Sequence, residues 1–302
     1  MTSILTNVAA MSALSTLRSI SSGMEETQSR VSSGERVGEA SDNAAYWSIA
    51  TTMKSDNMAL SAVSDALGLG ASKVDTAYAG MDAAIDVVKE IKAKLVTATE
   101  EGVDKAKVQE EISQLQEQLM SIAESAAFSG ENWIAGDAAD VTVVSGFVRD
   151  ANNAVSVKTT TYTLDDAADG TLLFGGDGAG GIDDTTGVLG TAGGATIGVS
   201  VYELDISTFD GTEMAEALTL VDEALASMTS AAAELGSIST RIELQEDFVG
   251  SLSDSLDSGI GRLVDADEES TRLKALQTQQ QLAIQSLSIA NSSSEVILSL
   301  FR

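Results

Sequence analysis

The chain has 302 residues and carries 17 Lys or Arg against 46 Asp or Glu, which gives a formal net charge of −29 at pH 7. It contains no His, Cys or Pro, so disulfides, Ser-His-Asp triads, cysteine nucleophiles and ordinary zinc sites are excluded. Because nucleic acids and anionic membrane surfaces are negatively charged, a chain this acidic is expected to bind neither of them. No apolar run approaches the ~20 residues that a membrane-spanning helix needs.

The two ends of the chain carry little net charge. Residues 1–34 are neutral and residues 272–302 carry +2, so the residues between them hold −31. The ends of a domain are normally its polar and frayed parts. Ends with so few charges are therefore expected to become buried.

The first predicted element is a helix near the N terminus. Its apolar positions follow one another in steps of four and three residues, the heptad spacing that turns one seam of a helix toward a partner. This seam comprises Ala10, Leu14, Leu17, Ser21, Met24, Gln28 and Val31.

The same alternation continues further along the chain, where it predicts the first half of a long antiparallel helical rod over residues 43–136. Proline, the strongest helix breaker, is absent and interrupts none of these helices. The seam residues of the last helix in this half are Val108, Ile112, Leu115, Leu119, Ile122 and Ala126.

The composition changes over residues 137–210, which contain 12 of the 26 glycines and only two basic residues. Three stretches, 141–144, 154–164 and 196–206, are rich in β-branched residues and are typical of short strands. The Gly-rich stretch 175–194 indicates turns and loops. We predict a small, surface-exposed outer domain with β structure at the tip of the rod.

Helical spacing returns after this insertion, and residues 211–264 are predicted to complete the rod. Its seam comprises Met214, Leu218, Val221, Leu225, Met228, Ala232 and Leu235. The last seam comprises Leu273, Leu276, Gln280, Ala283, Leu287, Ala290, Ser294, Ile297 and Phe301. We predict that the helices of residues 1–42 and 265–302 pair as a coiled coil and form a terminal core domain.

Heptad spacing by itself is equally compatible with an ordinary helical bundle inside one chain. Polar residues in the terminal seams argue against a tight self-contained pair, and the outer faces carry few charges. We therefore expect neighbouring subunits to bury the terminal helices. The residues expected to mediate this self-assembly are Ala10, Leu14, Leu17, Met24, Val31, Leu273, Leu276, Ala283, Leu287, Ala290, Ile297 and Phe301.

Motifs at both ends of the chain resemble those of bacterial flagellins. The motifs that carry the resemblance are Ser3–Leu14, Ser41–Ala45, Phe128–Trp133, Ser288–Asn291 and Val296–Arg302. The resemblance covers residues 1–136 and 211–302 and leaves the insertion unassigned. The composition and the short insertion are most like those of alphaproteobacterial, rhizobial-type flagellins.

The resemblance implies a structural subunit that polymerises into the filament of the bacterial flagellum, the helical propeller of swimming. The implied partners are copies of the chain itself, with or without sister flagellins, and a flagellar export chaperone, the filament cap and the hook-associated proteins. The implied location is extracellular, reached by type III export. Since the first basic residue, Arg18, follows the apolar positions, no cleavable signal peptide is expected. A hook–filament junction protein, which shares flagellin-like ends, is the alternative.

The resemblance also concerns a rod segment that an animal innate receptor recognises in many flagellins, where an exposed Arg is followed four residues later by a Leu. Aligned with residues 89–96, these two positions are Glu90 and Lys94. Charge reversal at the first position and loss of an apolar contact at the second predict weak or absent receptor activation. Within the filament, the two residues are expected to be solvated helix charges.

No residue pattern indicates catalysis. A glycosidase that works with two carboxylates is the remaining enzyme class, but the sequence has no recognisable pocket motif that pairs two acids. The Gly/Asp-rich segment 175–184 resembles a single calcium-binding repeat without a stacked neighbour, so we interpret it as a flexible acidic loop. We expect no enzymatic activity, catalytic residue, cofactor or bound metal.

Overall fold

The computed structural model describes residues 7–150 and 155–299, with side chains except at 155 and 293–299. Its helices are α1 (Val8–Ser33), α2 (Ala44–Ala98), α3 (Lys105–Ser125), α4 (Gly187–Gly190), α5 (Gly211–Val264) and α6 (Glu269–Ser299). Its strands are β1 (Ala127–Phe128), β2 (Glu131–Asn132), β3 (Ala135–Gly136), β4 (Ala139–Arg149), β5 (Val155–Leu164), β6 (Phe174–Gly176) and β7 (Ile182–Asp183). This order confirms the predicted helical fold with a β-containing insertion.

The elements belong to two compact units. The first unit joins the residues up to Met58 with those from Leu252 onward, and the second spans Ala59–Ser251. Residues 137–210, the predicted outer domain, lie in the second unit together with the helical residues on either side of them. The finer division into terminal, rod and outer domains remains a prediction.

Side-chain caps set where the long helices begin. At the start of α1, Asn7 Oδ1 accepts the N–H of Ala10 at 3.0 Å, and Asn43 Oδ1 accepts two backbone N–H groups at the start of α2. α5 begins at a reciprocal capping box: Asp210 accepts the N–H of Glu213 at 2.8 Å, and the Glu213 carboxylate accepts the N–H of Asp210 at 2.7 Å. All these bonds satisfy N–H groups that a helix terminus leaves without partners. The N–H of Glu213, which donates to the Asp210 carboxylate, also lowers the pKa of that carboxyl below its usual range.

The buried face of α5 follows the predicted seven-residue period but differs at alternate positions. The positions buried as predicted are Met214, Val221, Met228 and Leu235. Leu220 is buried as well, and so are Ala217, Ala224 and Ala231, each one residue before the predicted Leu218, Leu225 and Ala232. Alanine lets neighbouring elements approach the helix closely. Leu218 and Leu225 are half-buried and lie at the edges of this contact.

The β-containing insertion agrees with two of its three predicted strands. Residues 141–144 and 155–164 lie in β4 and β5, which pair antiparallel with one bulge, while Ala154 lies outside the described residues. The Gly-rich stretch 175–194 holds more regular structure than predicted. Within it β6 pairs in parallel with β3 and antiparallel with β7, and α4 follows.

The third predicted strand, over residues 196–206, is wrong. These residues, all of them described, form no strand, only one isolated bridge at Val199. The carbonyl of Leu204 accepts hydrogen bonds from the side-chain amides of Gln109 at 3.0 Å and Gln116 at 3.1 Å, both in α3. Because these amides supply bonds that a neighbouring strand would otherwise make, the segment packs on α3 without joining a sheet.

Two glycines of α2 allow the residues that follow α3 to pack directly on α2. A Cβ on Gly70 would overlap Cγ1 of Val143 in β4. A Cβ on Gly80 would lie 2.7 Å from the Cβ of Ala126 and 2.8 Å from Cδ1 of Ile134. Carbon atoms do not pack at such distances, so the close approach of these elements requires glycine at both positions.

Replacing Gly80 with Ala is expected to lower the free energy of unfolding of the second unit by about 1–3 kcal/mol, because the core must move to admit the methyl group. Urea unfolding followed by circular dichroism measures the change. The control is Gly250→Ala in α5, where an added Cβ meets no atom within 4 Å. It is expected to be neutral or to stabilise by up to about 1 kcal/mol, since Ala favours helix. Equal stability of the two variants would contradict the packing argument.

Candidate self-assembly surface

α1 and α6 lie side by side in opposite directions. At one end of the pair, Asn7 Nδ2 donates to the carbonyl of Ala290 at 3.1 Å. At the other end, the N–H of Arg36 donates to the carbonyl of Val264 at 2.6 Å. Gly34 ends α1 with a φ of +75°, a left-handed conformation that costs glycine little. Contacts at both ends thus hold the antiparallel pair in one register.

Every predicted seam position of α6 whose side chain is described faces α1. These positions are Leu273, Leu276, Gln280, Ala283, Leu287 and Ala290, and each is half-buried while both of its sequence neighbours are exposed. Of the remaining predicted positions, Ser294 and Ile297 lie in α6 without described side chains, and Phe301 lies outside the described residues. The spacing predicted for α6 thus agrees with its half-buried face over residues 273–290, whereas the part of these positions in self-assembly stays a prediction.

The seam of α1 differs from the prediction at alternate positions. Those that contact α6 as predicted are Ala10, Leu17 and Met24. The other positions shielded from solvent include Ala13, Ile20 and Thr27, each one residue before a predicted position; of the predicted Leu14, Ser21 and Gln28, only Ser21 is half-buried. Steps of four-then-three and three-then-four share Ala10, Leu17 and Met24, so spacing alone does not separate them. As a result, Leu14 and Val31 are 38% and 37% exposed.

The two long sides of the α1–α6 pair differ in shape. One side carries an open groove of about 650 Å³. The groove is lined by Ala9, Ser12, Ala13, Thr16, Ile20, Gln279, Leu282, Ala283 and Ser286. The opposite side exposes Met11, Leu14 and Ile284 by 64%, 38% and 53%, and we call these three residues the ridge. Each ridge residue comes one position after a residue of the α1–α6 contact, namely Ala10, Ala13 or Ala283. The groove residues Ala9, Ser12 and Leu282 each come one position before the same three residues. Because successive residues point in different directions around a helix, ridge and groove lie on opposite sides of the pair.

One guanidinium joins the end of α1 to the start of α6. Arg30, in the last turn of α1, lies 2.6 Å from Glu26, 3.3 Å from Asp42 and 3.4 Å from Glu269. The side chain of Glu269, the first residue of α6, is only 6% exposed, and its Oε2 has no hydrogen-bond partner. Arg272 of α6 lies 3.5 Å from the same carboxylate. Since a buried carboxylate is costly without counter-ions, Arg30, the one of the two guanidinium groups that belongs to α1, stabilises the pairing of the two helices.

Arg30→Gln is expected to loosen the α1–α6 pair by about 1–3 kcal/mol, because Glu269 loses the cation that α1 supplies and keeps only Arg272 of its own helix. Hydrogen exchange of the α6 amides measures this as a rise of roughly 5- to 150-fold in opening. The matched control is Arg18→Gln, an exposed position of the same helix, where exchange is expected to stay nearly unchanged. Equal effects of the two substitutions would show that Arg30 has no special part in the pairing.

The structure places Glu90 and Lys94 one turn apart on α2. Glu90 is exposed, as predicted. Lys94 is half-buried and forms an ion pair with Glu111 of α3, whose carboxylate raises the pKa of the Lys94 ammonium above its usual value. Lys94 is therefore a contact between two helices, whereas only Glu90 is a freely solvated charge.

In the Gly/Asp-rich loop, the carboxylate of Asp177 accepts hydrogen bonds from backbone N–H groups of the same loop. Asp177 Oδ1 accepts the N–H groups of Ala179 at 2.7 Å and Gly181 at 2.8 Å, which lowers the pKa of the Asp177 carboxyl. Across residues 7–150 and 155–299, no cluster of three or more His, Cys, Asp or Glu is placed to hold a metal ion. No helix within those same ranges is both long and apolar enough to cross a bilayer.

The fold and this surface define a protein of long helices in which the two chain ends form one helix pair. Residues 4–139 match the N-terminal helical region of bacterial flagellin, and residues 218–301 match its C-terminal helical region. Over the whole length of both chains, the protein is 54% identical to Flagellin A and 53% identical to Flagellin C of Rhizobium meliloti (strain 1021). It is 44% identical, again over both whole chains, to a flagellin of Brucella melitensis biotype 1.

The chain therefore belongs to the bacterial flagellin family and is of the rhizobial type. It is a structural subunit of the flagellar filament, and nothing among these relatives favours a hook–filament junction protein. Residues 140–217 lie outside both matched regions, although the alignments with the rhizobial flagellins also cover them.

Proposed function

We propose that the α1–α6 pair is the surface through which copies of this chain polymerise into the filament. The observation that carries the proposal is the set of large apolar side chains that the pair exposes on its outer sides. They are Val8, Met11, Leu14, Val31, Leu282, Ile284 and Ile289. Both helices also lie in the parts of the chain with least net charge. A second copy that covers these side chains removes apolar surface from water without bringing carboxylates together.

Magnitudes favour a polymer over a dimer. Fully covering one Leu, Ile or Met side chain contributes about 1.5–3 kcal/mol. Association of two copies costs about 4–15 kcal/mol in lost freedom of motion. One contact between two copies is therefore close to balance, whereas a subunit that joins several neighbours at a filament end gains more than it loses.

We also propose that the second unit makes lateral contacts between subunits. Leu244 and Phe248, one turn apart on α5, are both exposed and offer an apolar contact on that unit. The acidic insertion is proposed to face solvent, since residues 137–210 carry only two basic residues, Arg149 and Lys158. Small changes in the register of these contacts between subunits would change the supercoiled form of the filament. A supercoiled filament converts the torque of the motor into thrust.

The remaining partners follow from family membership as proposals. Before export the chain binds a flagellar export chaperone, and in the appendage it meets the filament cap and the hook-associated proteins. Its proposed location is the extracellular flagellar filament, and we propose no enzymatic activity for it. Relatives named Flagellin A, B, C and D occur together in Rhizobium meliloti (strain 1021), which supports copolymerisation with sister flagellins.

Deleting residues 272–302 is expected to abolish polymerisation, because α1 loses the partner that completes the assembly surface, and to leave the second unit folded. Electron microscopy of the purified chains scores filaments, and circular dichroism scores helix content. A full-length chain with Gln285→Ala, an exposed polar position of α6, is the control and is expected to polymerise. Normal filaments from the truncated chain would contradict the proposal.

The receptor motif gives a separate expectation. The unaltered chain is expected to activate the innate receptor weakly or not at all, and the double variant Glu90→Arg/Lys94→Leu to gain activation, because it restores the guanidinium and the apolar side chain of the motif. A receptor reporter assay measures both. Lys92→Leu, a neighbouring lysine that pairs with Asp222, is the control and is expected to change nothing. Full signalling by the unaltered chain would refute this expectation.

A further inference from the structure

The ridge and the groove of the α1–α6 pair are complementary to each other and not to themselves. The nine residues that line the groove carry no charge, and those from α1 include Ala9, Ser12 and Thr16, whose small side chains leave the space open. The ridge presents three large apolar side chains, Met11, Leu14 and Ile284, on the other side. Two ridges in contact would leave gaps between protruding side chains, and two grooves would enclose a void.

We propose that the ridge of one copy seats in the groove of the next copy. This inference rests on the proposed function, because it takes a second copy of this chain as the occupant of the groove. Met11 and Leu14 stand three residues apart on α1, as do Ala9 and Ser12 in the groove. Side chains at this spacing form the rows that interdigitate when one helix packs against another.

Charge favours the α1–α6 pair over the other surfaces of a second copy. The residues between 34 and 272 of each copy hold −31, whereas residues 1–34 are neutral and residues 272–302 carry +2. Of the surfaces of a second copy, its α1–α6 pair therefore approaches this groove with the least electrostatic repulsion. An apolar ridge entering an uncharged groove also leaves no charge buried without a partner.

The arrangement explains why assembly does not stop at two copies. Each copy that offers its ridge to one neighbour keeps its groove free for another. Contacts between two different surfaces give rings or open helical polymers, whereas contact of a surface with itself closes a two-fold dimer. The ridge–groove contact is therefore the kind of contact that a filament needs.

Disulfide cross-linking tests the contact directly, because the chain contains no cysteine of its own. The double variant Ser12→Cys/Leu14→Cys places one thiol in the groove and one on the ridge. Residues two apart in a helix do not face each other, so the two thiols do not bridge within one copy. Mild oxidation of assembled filaments is expected to give a ladder of dimers, trimers and longer products on a denaturing, non-reducing gel.

The controls separate the outcomes. Ser12→Cys/Ser22→Cys, whose second thiol lies on the exposed outer face of α1, is expected to stay monomeric, as is Leu14→Cys alone. Dimers from Leu14→Cys alone would show ridge-to-ridge contact and overturn the proposal. Filaments of the double variant that give no ladder would overturn it as well and leave the proposed function intact. Failure of the unaltered chain to form filaments would instead refute the proposed function.

A second measurement applies if the double variant does not assemble. Leu14→Asp keeps the groove but loses the ridge, and Ser12→Phe keeps the ridge but fills the groove. Each variant, added as a minor fraction to the unaltered chain, is expected to shorten the filaments several-fold, because it joins an end by one surface and offers no second one. Unchanged filament lengths with both variants would overturn the ridge–groove contact.

Discussion

The antiparallel pairing of α1 with α6 is the constraint on which the rest of the first unit depends. The backbone bond from Arg36 to Val264 and the ion pair of Arg30 with Glu269 fix which residues of the two helices face each other. A pair of only two helices covers one stripe on each of them, so the flanks of both stripes stay exposed. The exposed apolar surface that we propose for assembly is thus a consequence of pairing two helices where a bundle would pack more.

The distribution of charge complements this geometry. Carboxylates are concentrated away from the chain ends, where they keep the subunit soluble and oppose contacts between second units in unsuitable orientations. Some of them also stabilise the fold locally: Asp210 caps α5, and Asp177 organises its own loop by accepting backbone N–H groups. The low net charge of the terminal helices favours close association at the α1–α6 pair, the surface that we propose for assembly of the filament.

Sequence patterns predicted the type of most elements and missed the register of several. Seven-residue spacing identifies α1, α3, α5 and α6, but two seams one residue apart share half of their positions, so Leu14 and Leu218 were assigned to contacts that Ala13 and Ala217 make. Side-chain size misleads here, because a close helix contact selects alanine. β-Branched composition likewise predicted a strand at 196–206. In the structure, side-chain amides of α3 donate hydrogen bonds to the backbone carbonyls of this segment instead.

The sequence by itself determined the family, the long helices, the paired chain ends and the absence of histidine and cysteine chemistry, because each of these follows from residue identity and spacing. Only the tertiary structure decided which face of each terminal helix packs against the other, that Arg30 reaches Glu269, and that Gly80 admits Ile134 against α2. These features join residues far apart in the chain, and no local pattern records which of them meet. Packing selects one register from several that the spacing permits.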